Sequence, residues 1–148
     1  MVAVYLAAAL SCAPRMRDWA QVLSDNGLAV CSRWHHTGDR VDPHAPQVRC
    51  EILLANLSDL NRADIVFCDT TEGQPACTFV EIGYAIALGK RVVWRQPAGP
   101  RNDGVRARCI ADAHPFVTIV ASDSEAVLAL LRVANGIYDA SERPTLKP

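Results

Sequence analysis

A chain of 148 residues has room for one domain that buries about two-thirds of the surface of its unfolded form. Half of the residues are hydrophobic and only 21% are charged, which excludes a disordered or low-complexity chain. The 15 basic residues are matched by 16 acidic ones, so the net charge of −1 excludes an electrostatic grip on polymeric nucleic acid.

Val2–Ala7 is an unbroken apolar run, the pattern of a strand covered on both faces. A helix follows, with Pro14 at its first position, Met16, Trp19, Ala20 and Leu23 at helical spacing, and Asn26–Gly27 as the stop. Leu28–Ser32 reads as strand two. From Trp34 to Gln47 the chain turns polar and rich in His and Pro, the mark of a long exposed loop. Helix two, Pro46 to Arg62, has Val48, Ile52, Leu53, Leu60 and Ala63 on its inward side. Strand three (Ile65–Cys68), a third helix (Thr78–Leu88, closed by Gly89), strand four (Arg91–Trp94), strand five (Phe116–Val120) and a helix from Ser122 to about Asn135 complete the pattern.

This alternation predicts an α/β fold: a doubly wound, parallel five-stranded sheet of flavodoxin- or Rossmann-like type, order 2-1-3-4-5, with helices on both faces. Residues 1–137 form the domain and 138–148 a C-terminal tail. Ligands of such folds sit beyond the carboxyl ends of the strands, near strands one and three.

Six cysteines (Cys12, Cys31, Cys50, Cys68, Cys77, Cys109) include no CxxC pair and no His at zinc-type spacing, so they read as free thiols in a reducing compartment. The loop with His35, His36, His44, Asp39 and Asp42 matches no standard metal site either, and neither metal nor cofactor is expected. Val2–Leu10 before Ser11–Cys12 imitates a signal segment but lacks a basic leader and is too short to span a bilayer. The expectation is a soluble, cytoplasmic protein with no membrane partner.

The sharpest signal lies in Ala76–Gly89, an apolar helix pattern whose one charge is Glu81. A buried carboxylate is costly unless it is paired or used. Thr78-x-x-Glu81 fits a capping box, a purely structural use. Alternatively, Glu81 stands in the first turn of a helix past a strand's carboxyl end, where the dipole favours an ionised carboxylate able to attack a sugar carbon.

The segments VYLAAAL, DLNRADIVF and TFVEIGYAIALGKRVV resemble the nucleoside 2-deoxyribosyltransferase family, which includes related nucleotide N-glycoside hydrolases. The likeness covers roughly Val2 to Trp94. It implies cleavage of the N-glycosidic bond of a small-molecule (deoxy)nucleoside or nucleotide, with base exchange or hydrolysis, in a homodimer or higher homo-oligomer. By this resemblance Glu81 is the nucleophile that forms a glycosyl–enzyme at C1′, Tyr5 orients its carboxylate, and Trp34 lines the base pocket. The loop from Ala8 to Ala13, with Ser11 and then Arg15 and Arg17, takes the place of a phosphate-binding loop.

Departures from the family accompany the likeness. Asn56 stands where the family carries an active-site Asp, and it cannot serve as a general acid; Asp59, one turn along, is a substitute or an exposed structural residue. Pro75 replaces the Asp that protonates the base in the transferases, leaving Asp69 at the end of strand three as the nearest replacement acid, or else a turn-capping residue. Arg101, Arg106 and Arg108 border the pocket or are merely solvated, and Tyr138 sits where relatives complete a neighbour's site. A non-catalytic nucleotide-binding module on the same fold is the alternative reading. A receiver-like signalling domain fits poorly, because no acidic pair follows strand one.

Overall fold

The computed structural model of the protein describes residues 1–36, 42, 45–72, 76–96 and 110–137. Its elements are β1 (Ala3–Ala7), α1 (Ala13–Asp25), β2 (Ala29–Val30), α2 (Pro46–Arg62), β3 (Ile65–Asp69), α3 (Ala76–Ala87), β4 (Arg91–Arg95), β5 (Val117–Val120) and α4 (Asp123–Ala134). The strands form one parallel sheet in the order β2-β1-β3-β4-β5, as the alternation predicts. Pro75, His44, Asp39, Cys109, the loop arginines 101, 106 and 108, and the tail from Tyr138 lie outside the described residues.

The register decides which side chains can meet. Tyr5, Val66 and Val92 stand abreast on one face, followed two residues on by Ala7, Cys68 and Trp94. Leu6, Phe67 and Val93 point to the other face. Trp19 of α1 packs on Phe67 with ring centroids 4.5 Å apart, and Asp123 at the start of α4 pairs with Arg95, so α1 and α4 cover this second face. α2 and α3 cover the Tyr5 face, where Phe79 meets Trp94 edge-on. β1, β3 and β4, sealed between the two helix layers, are buried along almost their whole length.

Most boundaries differ from expectation by a residue or two. α1 begins at Ala13 and buries Met16, Trp19 and Leu23. It ends in a reciprocal cap, with Gly27 N–H on Ser24 C=O and Leu28 N–H on Leu23 C=O, which requires the positive φ of Gly27. Gly89 closes α3 in the same way, through its own N–H to Ile86 and that of Lys90 to Ala85. β2 is shorter than Leu28–Ser32 because Ser32 Oγ, rather than a main-chain carbonyl, accepts the Leu6 N–H at 3.1 Å. The capping box is found not at α3 but at α4, where Ser122 and Glu125 cap each other. Thr78 lies inside α3, too late to cap it.

One inward assignment fails: Leu53 is 49% exposed. α2, with 17 residues, is about 25 Å long, whereas a five-residue strand spans about 17 Å. The first turns of α2 therefore overhang the carboxyl ends of the strands, and its fully buried residues are the late pair Asp59 and Leu60. Asn56 lies beyond those first turns, on the part of α2 that packs toward Glu81 of α3.

Candidate active site

The site forms on the Tyr5 face. Tyr5 is fully buried in β1, and Glu81 is 6% exposed on α3. The Tyr5 hydroxyl donates to Glu81 Oε1 at 2.5 Å, and Asn56 Nδ2 of α2 donates to the same oxygen at 3.3 Å. Oε2 receives no hydrogen bond from the described residues. Three elements distant in sequence thus fix one carboxylate by one oxygen and leave the second available.

Burial pushes the Glu81 carboxyl up to about 7, against the pull of the Tyr5 and Asn56 hydrogen bonds, which favour the anion. The dipole expected to ionise it contributes little, since Glu81 is the sixth residue of α3 and the effect fades after the first turn. Burial and the adjacent carboxylate push the Tyr5 hydroxyl far above its ordinary range, so it remains a hydrogen-bond donor at any working pH. The group is thus a carboxylate poised between its charged and neutral forms near neutrality, held by neutral donors.

Asp69 departs from its expected place beside Glu81. It alternates with Cys68 and therefore points to the α1 face, where Arg15 Nε lies 3.0 Å from Oδ2 and Thr71 Oγ1 donates to Oδ1 at 2.6 Å. Arg95 Nη1 stands 3.5 Å from Oδ1. The Thr71 N–H also donates to Oδ1, which makes Asp69 a turn-capping residue in an ion-pair network. Asp59, expected to be exposed if structural, is 1% exposed, and its carboxylate accepts from Arg33 and Arg62. It ties the segment after β2 to α2 and does not meet Glu81.

Trp34 is 6% exposed and donates its indole N–H to Leu6 C=O at 2.7 Å, bracing the end of β1. Ala8 is buried in the turn after β1, and Ser11 is exposed in the short 3-10 turn that precedes α1. Arg15 is engaged by Asp69, Glu72 and Asp123, and Arg17 donates to the His35 carbonyl. Neither arginine is held in reserve for an anion.

Two further polar side chains are buried, Thr78 on α3, read from sequence only as a candidate cap, and Gln96 just after β4, which the sequence reading overlooked. Among the described residues Thr78 Oγ1 has no hydrogen-bond partner, and neither polar atom of the Gln96 amide has one. Strand alternation from Trp94 would have placed Gln96 on the Tyr5 face. A groove between β5 and α4, lined by Ile119, Leu128 and Ile137 among others, lies at the sheet's far edge and contains none of these residues. Among the described residues no cluster of His, Cys, Asp or Glu could hold a metal ion, and no helix is long and apolar enough to cross a membrane.

The family model for nucleoside 2-deoxyribosyltransferase matches residues 4–115, most of the chain. The chain belongs to that family. Membership places it in an enzyme family, that of the nucleoside 2-deoxyribosyltransferases. It is similar in structure to the 2-deoxyribosyltransferase of the psychrotolerant bacterium Bacillus psychrosaccharolyticus, with a TM-score of 0.62 and 21% identity over 95% of this chain and 94% of that one. It is also similar to the CMP N-glycosidase of Clostridium botulinum, with a TM-score of 0.59 and 18% identity over 89% of this chain and 98% of that one. No curated protein matches the sequence. At such identities the family member shares the fold with both structures, and its chemistry has to be argued from its own residues.

Proposed function

We propose that this family member cleaves the N-glycosidic bond of a (2-deoxy)nucleoside or nucleotide through attack of Glu81 on C1′, forming a covalent glycosyl–enzyme. The observation that carries this reading is the convergence of Tyr5 and Asn56 on Oε1. Two donors on one oxygen orient the carboxylate and leave Oε2 to form the new C–O bond as the C–N bond breaks. The electron pair of the broken bond leaves with the base. Asp69 faces the other side of the sheet, so the base takes its proton from solvent rather than from that acid. Water or a second base then attacks C1′, restoring Glu81 and the original configuration.

Asn56 supports this over a site that has merely lost its acid. An ionised Asp there would repel the Glu81 charge, whereas the amide N–H stabilises it. Both similar structures have activities, deoxyribosyl transfer and N-glycosidic cleavage, that proceed by loss of a base from an anomeric carbon. Association into a homodimer or larger assembly is part of the same proposal, supported by the exposed Leu53, Leu54, Phe79 and Val80 on α2 and α3, and light scattering in solution tests it. The reaction is tested by incubating the protein with each nucleoside and nucleotide, with and without an acceptor base, and separating the products by chromatography. New nucleoside identifies transfer and free base alone identifies hydrolysis; turnover retained by Glu81→Ala would reject the mechanism.

A further inference from the structure

Gln96 follows β4 directly, and its N–H continues the sheet ladder to Val120 C=O at 3.0 Å. Strand alternation from Val92 and Trp94 therefore turns its side chain to the face that carries Tyr5 and Glu81. The side chain is 4% exposed, yet neither its amide nitrogen nor its amide oxygen has a hydrogen-bond partner among the described residues. Burying an amide in this state leaves the loss of its hydrogen bonds to water uncompensated. A cost of that kind is offset when a ligand supplies the missing bonds. Thr78 repeats the pattern on the facing helix. It is fully buried, its Oγ1 has no partner among the described residues, and it lies three residues before Glu81 on the same face of α3, one turn nearer the carboxyl ends of the strands.

We propose that Gln96 is a base-recognition residue of this enzyme, reading a neutral nucleobase edge that presents a hydrogen-bond acceptor beside a donor. The inference rests on the function proposed above and names the group that selects its substrate. A primary amide offers one donor and one acceptor side by side, so it pairs in two-point fashion with an amide or amidine edge and has no charge to offer a phosphate. The spacing suits this role. β4 is two strands from β1 and Gln96 is four residues beyond the level of Tyr5, which puts their Cα atoms roughly 16 Å apart by strand geometry. A nucleoside with its sugar at Glu81 and its base toward Gln96 would lie along that distance, past the Phe79 and Trp94 rings.

The test uses the full chain carrying Glu81→Ala, which cannot consume its ligand, with Gln or Leu at position 96. Affinities are measured by titration calorimetry, using each common nucleoside and nucleoside 5′-monophosphate and analogues in which one base-edge group is replaced by hydrogen. Gln96→Leu should weaken binding about tenfold or more and erase the preference for intact edges over analogues. The ligand-free Tm of the variant should hold or rise, because the leucine removes an unpaired buried amide; Gln96→Met serves the same purpose if the leucine variant does not fold. Unchanged affinity and preference would overturn the assignment, as would failure of the Gln96-containing protein to bind any nucleoside or nucleotide. A fall in Tm for both variants would overturn it too, by giving the amide a structural duty. Failure of the proposed reaction looks different: nucleosides bind in a Gln96-dependent manner but the unmodified enzyme cleaves none.

Discussion

The Tyr5 hydroxyl and Glu81 Oε1 stand 2.5 Å apart, although 76 positions separate the two residues in the chain. The hydrogen bond joins the middle of β1 to the second turn of α3 and favours the charged form of a carboxyl that burial holds neutral up to about 7. Opposition between burial and hydrogen bonding at one oxygen gives the site its pH behaviour.

Tyr5→Phe removes the shorter of the two bonds to Glu81 and leaves the ring in place. A hydrogen bond to a charged group contributes about 1.5–3 kcal/mol, so the Glu81 pKa should rise further and kcat/KM at neutral pH should fall about 10- to 100-fold. The acid limb of the pH–rate profile should move to higher pH. An unmoved limb would separate Tyr5 from the nucleophile.

Activity should increase with pH through about 7, as Glu81 loses its proton. Stability should move the other way. The folded carboxyl keeps its proton up to about 7, and the unfolded one releases it near 4.5, so the folded state binds more protons across that window. Raising the pH through the window should cost roughly 3 kcal/mol from this group. Glu81→Gln abolishes the effect along with turnover. Urea denaturation should show the variant more stable than the parent at pH 8, with the difference closing toward pH 4.5.

Asp69→Asn should leave the Glu81-dependent pH profile in place, because Asp69 faces the α1 side with Arg15, Thr71 and Arg95. Its effect should appear in denaturation, where breaking a buried ion pair by neutralising one partner costs about 3 kcal/mol or more. A loss of kcat with unchanged stability would restore Asp69 as the proton donor.

Asp59→Ala should also be a stability variant. Arg33 and Arg62 are more than half exposed and can return to water, which limits the cost to about 1–3 kcal/mol, the range for a buried group left without its partners. Thermal denaturation followed alongside kcat at saturating substrate should show the first falling and the second holding within a few-fold.

The strand order, the helices and the singularity of Glu81 were legible in the sequence because they rest on local regularities. These are unbroken apolar runs, helical spacing, glycines where φ turns positive, and one charge in an apolar helix. Tyr5 came from family resemblance, not from periodicity, which shows only a strand aromatic. What the tertiary structure alone decided was the facing of side chains across the sheet. A strand reverses direction at every residue, so Cys68 looks toward Glu81 and its neighbour Asp69 toward Arg15, a distinction that the register of β1, β3 and β4 settles. Burial is likewise a property of the assembled layers. It raised the Glu81 carboxyl toward neutrality, hid Asp59 between two arginines and left the Gln96 amide without partners among the described residues, because desolvation depends on every element packed around a group.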